Sequence, residues 1–367
     1  MNIESITRIV CNTIDRDSGI NLINGNDNFV KRVITENGGN VNIEIEFGYP
    51  AMRRFEEIRE HIVGEVSRIP GVVSVNVRVN QKIAARAVRR GIKLLPGVKN
   101  IVVVASGKGG VGKSTTAVNL ALALSYEGAS VGILDADIYG PSLPTLLGIC
   151  DKPQTKDGKM MQPLVAHGLQ ANSIGFLIET DNPLVWRGPL VAQALWQLVS
   201  QTHWQDLDYL IIDMPPGTGD VQLTLSQKVP VTGAVIVTTP QDLALLDARK
   251  GLKMFQKVDV PILGLIENMS VHICSNCGYK EAIFGTSGGE RICQDLGIDL
   301  LGKLPLEMSI RMHADAGLPS VIAEPDGRVA EVYRAIARKM TAKLMGIAKD
   351  MTSKFPPIVV KKKYDNE

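Results

Sequence analysis

The segment SGKGGVGKST, at positions 106–115, has the residue types and spacing of a phosphate-binding loop. It fits the pattern G-x-x-x-x-G-K-[ST] from Gly107 to Ser114. Glycines let successive backbone N–H groups point at phosphate oxygens, and the following helix adds the positive end of its dipole. Lys113 could then reach the β and γ phosphates, and Ser114 could ligate Mg²⁺. The segment therefore predicts binding and hydrolysis of a nucleoside triphosphate.

Two carboxylates, Asp135 and Asp137, stand at the end of the apolar run VGILD and just after it. Carboxylates at the carboxyl end of a strand beside the phosphate-loop strand are well placed for Mg²⁺ and for an attacking water. In a second interpretation both acids only cap the next helix. For Asp135 the sequence does not separate these two roles.

A third acidic residue, Asp213, ends the apolar run YLIID downstream of the loop. In nucleotide hydrolases a strand of this kind lies beside the phosphate-loop strand, and its aspartate holds the Mg²⁺ shell. The segment Gly217–Asp220 is then expected to form a nucleotide-sensing switch. An apolar strand ending in Asp is common by itself, so this interpretation depends on the loop that precedes it.

Cys274 and Cys277 have C-x-x-C spacing in the segment VHICSNCGYK. Two such thiols project from one turn and can chelate a soft metal or occupy two corners of a cluster. A complete zinc site within one chain is not expected, because it needs four ligands and only His272 is close in sequence. A thioredoxin-type redox pair belongs at a strand-to-helix turn near a chain start, which this is not. A half-site completed by a second subunit supplies four thiolates, the number that a 4Fe-4S cluster takes.

The other cysteines, Cys11, Cys150 and Cys293, are expected to be small core residues. His272 stands close enough to Cys274 to be an extra ligand, but we expect a surface or hydrogen-bonded histidine.

Short apolar runs from residue 101 onward predict the strands that position these residues. The runs are IVVVA, VGILD, YLIID, AVIVTT and ILGLIE, and each is apolar almost throughout rather than alternating. This pattern is typical of strands whose two faces are both covered by crossover helices. Residues 100–348 are therefore expected to form an α/β domain with a doubly wound, mostly parallel sheet. The segment GRVAEVYRAIARKMTAKLMGIAKD predicts an amphipathic helix that closes the domain.

Residues 1–80 are expected to form a small α+β domain. Apolar and polar residues alternate from Val41 to Phe47, and the turn NGGN before them predicts a hairpin with the segment VKRVITE. Apolar residues at steps of three and four between Phe55 and Ile69 predict a helix, and VVSVNVRV predicts a further strand. No catalytic constellation is apparent in this domain.

Residues 81–99 form a basic run, and residues 349–367 form a tail. The basic run has no acidic residue, but no aromatic residue interleaves it, so we expect a solvated interdomain helix and linker rather than a nucleic-acid site. The tail contains Pro356, Pro357 and a lysine run, and we expect it to be disordered.

The composition excludes several classes of protein. The 367 residues include 40 Lys and Arg and 38 Asp and Glu, so the net charge of +2 favours neither nucleic-acid binding nor membrane adsorption. No signal peptide is apparent, and no apolar stretch reaches the about 18 residues of a membrane-spanning helix. Five cysteines without a disulfide spacing are typical of a reducing compartment, so we expect a cytoplasmic protein.

The ordered set of motifs resembles the Mrp/ApbC family of P-loop ATPases, which are iron-sulfur cluster carriers. The motifs are GKGGVGKST, DADIYGPS, WRGP at Trp186–Pro189, DYLIIDMPPGTGD, VTTPQD at Val237–Asp242, ENMS at Glu267–Ser270, CSNCG and IFG. They cover nearly all of the second domain. The nitrogenase iron protein and the Min and Par positioning ATPases are more distantly similar. The first domain resembles, more weakly, a small domain found in other iron-sulfur assembly factors, and it lacks the aspartate-proline step usual there.

The resemblance implies roles for individual residues in ATP binding. Lys108 is the second lysine of the deviant Walker A motif, which in that class reaches the nucleotide of the partner subunit in a face-to-face homodimer. Asp137 would orient or activate the attacking water, Asp213 would lie behind the Mg²⁺ on Ser114, and Asn268 would recognise adenine. ATP would contact the whole loop, namely Gly107, Lys108, Gly109, Gly110, Val111, Gly112, Lys113, Ser114 and Thr115.

The resemblance also implies a transferable iron-sulfur cluster that bridges two subunits through Cys274 and Cys277. The partners would be apo iron-sulfur proteins and cluster scaffold proteins. An alternative is a positioning or scaffolding ATPase of the Min/Par type, which leaves the C-x-x-C pair without a role. A zinc-stabilised ATPase is a third hypothesis.

Overall fold

A computed structural model describes residues 3–15, 20–21, 23–24, 27–36, 38–88, 92–155, 158–177, 188–274 and 276–349. These residues form a small α+β unit, a connecting segment and a larger α/β unit. Of the predicted disordered tail, residues 350–367 lie outside the described residues.

The small unit is a three-stranded sheet with two helices and four short strands. Its helices are α1 (Ile3–Asn12) and α2 (Phe55–Val66), the latter preceded by a 3₁₀ turn (Met52–Arg54). Its strands are β1 (Ile14–Asp15), β2 (Ile20–Asn21), β3 (Ile23–Asn24), β4 (Asp27–Asn28), β5 (Val30–Glu36), β6 (Asn40–Phe47) and β7 (Ser74–Gln81). β1 pairs with β2 and β3 with β4, both antiparallel.

The predicted hairpin and helix of the small unit are confirmed. β5 pairs with β6 in antiparallel register, and β7 adds to β6 in parallel. The alternate residues Val41, Ile43, Ile45 and Phe47 are buried together with the apolar side of α2. The period-2 and period-3.6 patterns thus placed the core of this unit correctly.

The larger unit contains ten strands and nine α-helices within the described residues. The strands are β8 (Val98–Ala105), β9 (Val131–Asp135), β10 (Leu164–Ala166), β11 (Leu169–Ser173), β12 (Leu207–Asp213), β13 (Gly233–Thr238), β14 (Ile262–Glu267), β15 (His272–Ile273), β16 (Lys280–Glu281) and β17 (Leu300–Lys303). The helices are α3 (Lys113–Tyr126), α4 (Leu143–Leu147), α5 (Gly188–Ser200), α6 (Asp220–Lys228), α7 (Asp242–Lys257), α8 (Gly288–Leu296), α9 (Met308–Asp315), α10 (Ser320–Ala323) and α11 (Arg328–Met345). Among the helices that the structure describes, none is both long enough and apolar enough to cross a bilayer.

Eight strands form one sheet in the order β10-β11-β9-β12-β8-β13-β14-β17, and only β10 is antiparallel to its neighbour. Alternate residues of β8 explain its continuous apolar run. Val102 and Val104 face a core under α3 and α11, whereas Ile101 and Val103 face a second core under α5, α6 and α7. The prediction of a doubly wound, mostly parallel α/β sheet is confirmed, and so is the closing amphipathic helix, now α11.

The connecting segment differs from the expected solvated helix. Residues 82–88 and 92–97 contain no helix, and Arg86 is buried. Its guanidinium donates hydrogen bonds to the carbonyls of Met345 (2.9 Å) and Ile347 (3.1 Å), at the end of α11. The last carbonyls of a helix lack intrahelical partners and attract cations. This buried contact, which links residues far apart in sequence, explains why the predicted helix is wrong for these residues.

Candidate functional site

The phosphate-binding loop Gly107–Ser114 connects β8, at the centre of the sheet, to α3. Gly110 and Gly112 have left-handed φ angles of 80° and 77°, which favour glycine. A Cβ on Gly112 would also overlap the side-chain amide of Asn268. The glycine spacing noted in the sequence thus corresponds to a real backbone requirement, and the loop precedes the first turn of α3 as predicted.

Lys113, Ser114 and Asp213 lie together at the carboxyl ends of β8 and β12. The Lys113 ammonium is buried, pairs with Oδ1 of Asp213, and lies 3.2 Å from Oγ of Ser114. Ser114 also hydrogen-bonds the Asp213 carboxylate. A hydroxyl and a carboxylate are the oxygen ligands that Mg²⁺ prefers, so these residues fit that ion.

Burial controls the ionisation of the two aspartates. Desolvation raises the pKa of Asp213, although the Lys113 ammonium opposes this shift. Desolvation and the neighbouring charge of Asp213 raise the pKa of Asp135 to about 7. The two carboxylates stand opposite one another on adjacent parallel strands, which is why they interact.

Asp135 anchors the segment that follows β9. Its carboxylate accepts hydrogen bonds from the N–H groups of Asp137 (3.0 Å), Ser142 (3.0 Å) and Leu143 (3.1 Å) and from the hydroxyl of Ser173 (3.1 Å). Two of these donors begin α4. The capping contact expected of Asp135 is therefore present, because its carboxylate accepts hydrogen bonds from the N–H groups that begin α4, and its role toward Mg²⁺ stays a prediction.

Asp137 and Lys108 lie around this centre but are less enclosed. Asp137 is half-buried, and its negative charge helps to raise the pKa of Asp213. Lys108 is half-buried on the loop, and its backbone carbonyl accepts a hydrogen bond from Ser106 Oγ at 2.8 Å. Their predicted roles toward the attacking water and a partner's nucleotide stay predictions.

The segment after Asp213 contacts the start of the phosphate-binding loop. Gly217, with φ at 97°, donates its N–H to the carbonyl of Ser106 at 2.9 Å. Residues 218–220 are exposed, and α6 begins at Asp220. This hydrogen bond joins the segment to the residue before the loop, and the sensing role stays a prediction.

Asn268 lies on the wall of a cavity of 460 Å³ beside the first turn of α3. Its side-chain amide donates to the carbonyl of Val111 at 2.8 Å, and its backbone N–H donates to the carbonyl of Thr238 at 2.7 Å. Gly112, Thr115 and Tyr333 also line the cavity. The adenine contact expected of Asn268 stays a prediction.

Cys274 and Cys277 lie on a small hairpin that follows β14. β15 and β16 pair in antiparallel register, and the Cys274 N–H donates to the carbonyl of Tyr279 at 2.9 Å. Cys277 is exposed and Cys274 half-exposed, and their thiols are hydrogen-bonded neighbours. The N–H groups of Cys277 and Asn276 lower the pKa of the Cys274 thiol, because they stabilise its thiolate. Ser275, between the two, lies outside the described residues.

Cys274 and Cys277 offer two thiols, and the described part of the chain adds no third ligand to them. There, no three His, Cys, Asp or Glu side chains gather closely enough to hold a metal ion. His272 is hydrogen-bonded as expected, since Nδ1 lies 3.1 Å from the carbonyl of Leu306. Two exposed thiols on a turn can bind a metal or cluster only if further ligands come from elsewhere.

Two of the three remaining cysteines behave as predicted. Cys11 on α1 and Cys293 on α8 are buried, and burial raises the pKa of both thiols, that of Cys293 to about 11. The prediction for Cys150 is wrong, because this residue is exposed. It follows the left-handed Gly148 that ends α4, where the chain leaves the core.

The cavity beside Asn268, which we call the nucleotide-side cavity, lies next to the hairpin that carries Cys274 and Cys277. Ser270 donates its N–H to the carbonyl of Leu304, and Leu306 donates its N–H to the carbonyl of Val271. Leu306 lines the cavity, and it pairs with His272 at the base of the hairpin. The segment from Asn268 to Cys274 therefore connects the two candidate sites directly.

The larger unit matches a known family along most of its length. A family model described as "ParA: NUBPL iron-transfer P-loop NTPase" matches residues 97–341. The chain belongs to this family. The resemblance to Mrp/ApbC proteins that the motifs indicated is thereby confirmed.

Relatives of this chain carry consistent names. The "Iron-sulfur cluster carrier protein" of Escherichia coli (strain K12) is 52% identical over 305 residues, which cover 83% of each chain. The "Iron-sulfur cluster transfer protein NUBPL" of Mus musculus is 51% identical over 254 residues, covering 69% of this chain and 80% of the mouse protein.

A solved structure supports the fold of this chain. It is a nucleotide-binding protein of Archaeoglobus fulgidus in complex with ADP, 34% identical, with a TM-score of 0.56. The match covers 65% of this chain and 93% of the archaeal chain.

Sequence reasoning missed several residues at the site. Tyr333 on α11 lines the cavity and is buried against α3, where it hydrogen-bonds Thr116. Ser173 holds Asp135 from β11. Neither lies in a motif, and only the folded sheet brings them to the site. Trp186 and Arg187 of the WRGP motif lie outside the described residues.

Proposed function

We propose that this protein binds and hydrolyses ATP, carries an iron-sulfur cluster at a homodimer interface and delivers it to apo iron-sulfur proteins. The observation that carries this proposal is the pair of adjacent, solvent-accessible thiols of Cys274 and Cys277 on the segment that also bears Asn268. Membership of the iron-transfer family and the names of the relatives support the same function.

ATP would lie along the loop Gly107–Thr115, with its base in the cavity beside Asn268. Lys113 would bind the β and γ phosphates after giving up part of its contact with Asp213. Ser114 and Asp213 would hold Mg²⁺, which supplies shielding of the phosphate charge when it is bound. The fold and family support hydrolysis, and Asp137 is the residue that we assign to the attacking water.

A homodimer would complete both sites. Lys108 is half-exposed on the loop, and in the dimer it would reach the nucleotide held by the second copy. The thiols of two copies would supply four ligands, which is the number that a 4Fe-4S cluster takes. Release to an acceptor would then be an exchange of these thiolates for those of the apoprotein. Cluster scaffold proteins would supply the cargo.

The relatives' names favour this function over a Min/Par positioning ATPase. That alternative predicts a C-terminal amphipathic helix available to a membrane, or a basic face on the ATPase domain. The apolar side of α11 instead packs into the core beside α3. The alternative also leaves the paired thiols without a role.

Anaerobic reconstitution with iron and sulfide tests the proposal. The wild-type protein should gain a visible-range cluster chromophore and elute as a dimer, whereas the double variant Cys274→Ala/Cys277→Ala should do neither. Cys150→Ala is the matched control, because Cys150 is an exposed cysteine far from the pair in sequence. A chromophore that persists in the double variant would overturn the proposal. Stoichiometric zinc in protein purified without air would instead support the zinc-stabilised ATPase.

A further inference from the structure

Gln222 is a buried polar residue that none of the motifs singled out. It lies on the first turn of α6, and only 6% of it is exposed. Its side-chain amide donates to the carbonyl of Pro216 at 2.6 Å and to that of Pro215 at 3.3 Å. These prolines belong to the segment that connects Asp213 to α6, which we call the Asp213 loop (residues 214–219).

We infer that Gln222 is a positioning residue for ATP hydrolysis, because it fixes the shape of the Asp213 loop. The inference rests on the proposed ATPase function. Gln222 is not among the residues that line the nucleotide-side cavity, so it would act through the loop rather than on the nucleotide.

The prolines make the Asp213 loop depend on an outside donor. A proline has no N–H, so Pro215 and Pro216 cannot donate to the rest of the loop, and their carbonyls still need partners. Pro215 is buried, where water does not easily replace a lost donor. The side-chain amide of Gln222, on the next helix α6, has two N–H groups and donates to both of these carbonyls.

A second contact ties the Asp213 loop to Ser106, the residue before the phosphate-binding loop. Gly217 donates to the carbonyl of Ser106, while Thr218 and Gly219 are exposed. Gln222 and Ser106 thus both hold residues 215–217 of the loop. If the Gln222 contact is removed, we expect Gly217 and the backbone beyond it to move relative to the phosphates. Catalysis is sensitive to such displacements, because it depends on prepositioned groups.

The test compares Gln222→Met with Gln227→Met. Methionine keeps the length of the side chain and removes its donors. Gln227 lies on the same helix and is exposed, so it is the matched control. We expect kcat for ATP hydrolysis to fall on the order of 10-fold or more in Gln222→Met, with the Kd of a fluorescent ATP analogue changed less than about 2-fold. Gln227→Met should match wild type in both.

Equal kcat in Gln222→Met and wild type would overturn the inference. So would a parallel loss of kcat and nucleotide affinity, which indicates a purely structural role. If wild type itself hydrolyses no ATP, the proposed ATPase function fails, and this inference fails with it.

A second measurement applies even if Gln222→Met does not fold. Hydrogen exchange should find the Gly217 amide protected in the nucleotide-free wild-type protein. In Gln222→Glu, which has the same shape but an acceptor-only carboxylate at neutral pH, this protection should fall. An unprotected Gly217 amide in wild type, or equal protection in both proteins, would contradict the inference.

Discussion

Three ionisable residues at the site are buried, and they have different partners. They are Lys113, Asp135 and Asp213. Lys113 and Asp213 are paired, so removing either leaves a buried charge without a partner. Asp135 instead receives four neutral donors and keeps a raised pKa. The paired residues lie at the start of α3 and the end of β12, whereas Asp135 holds the backbone that carries Asp137.

The two loop lysines should have separable effects. Lys113→Ala should lower ATP binding and turnover, with a loss of turnover on the order of 100-fold, because it removes a charge aimed at the phosphates. Lys108→Ala should retain most of the binding and lose hydrolysis, because its proposed contact forms across the dimer. Nucleotide titrations and phosphate release measure both, with the exposed Lys152→Ala as control. Unchanged turnover in Lys108→Ala would contradict the cross-subunit role.

The raised pKa of Asp135, about 7 against an ordinary 3.8, gives stability a pH dependence of known sign. Between these values the folded protein holds a proton that the unfolded chain has lost, so the contribution of Asp135 to stability falls as pH rises. Asp135→Asn has no such proton. The unfolding free energy of wild type minus that of the variant should therefore fall by about 1.4 kcal/mol per pH unit across this window.

Urea denaturation of the nucleotide-free protein at pH 5, 6 and 7 measures this difference. The exposed Asp151→Asn is the control, and its difference from wild type should stay flat. A difference for Asp135→Asn that is constant or rises with pH would contradict the assigned ionisation.

At the scale of elements, the phosphate-binding loop depends on the backbone of Gly112. This residue has a left-handed φ, and an added Cβ would meet the Asn268 amide. Gly112→Ala should lower the free energy of unfolding by about 2 kcal/mol. Gly109→Ala is the matched change in the same loop, because open space surrounds Gly109, and it should alter stability by less than about 1 kcal/mol. Equal losses for both, in urea denaturation without nucleotide, would argue against this account.

Local pattern predicted the elements of this protein well. The continuous apolar runs indicated a parallel sheet because strands such as β8 face a core on each side. The glycine spacing located the phosphate-binding loop because two of its φ angles require glycine. Both features depend only on residues close together in the sequence, so a single sequence is enough to predict them.

Contacts between distant segments were not predictable in the same way. Arg86 looked like part of a solvated run, yet it caps the end of α11. Cys150 looked like a core residue, yet the end of α4 directs it outward. Gln222 has no motif at all, and its importance appears only when the Asp213 loop packs on α6. In each case the deciding partner is fixed by the tertiary fold.

At the scale of the whole molecule, the small unit is joined to the larger one by a shared core. Ala342 and Met345 of α11 pack into the core of the small unit. The buried Glu127, just after α3, pairs with Arg338 of α11 and accepts the Arg53 N–H at 3.1 Å. The small unit therefore contacts the carboxyl end of α3, and the amino end of the same helix begins at Lys113 in the phosphate-binding loop.

The central claim is that ATP and a cluster on Cys274 and Cys277 act together in delivery. The measurement that tests it most directly is the rate of cluster transfer from reconstituted protein to an apo-acceptor, with and without ATP. We predict that ATP changes the wild-type rate several-fold, that Lys113→Ala transfers at one rate under both conditions, and that Cys274→Ala/Cys277→Ala transfers nothing. A wild-type rate that is the same with and without ATP, or transfer by the cysteine double variant, would contradict the claim.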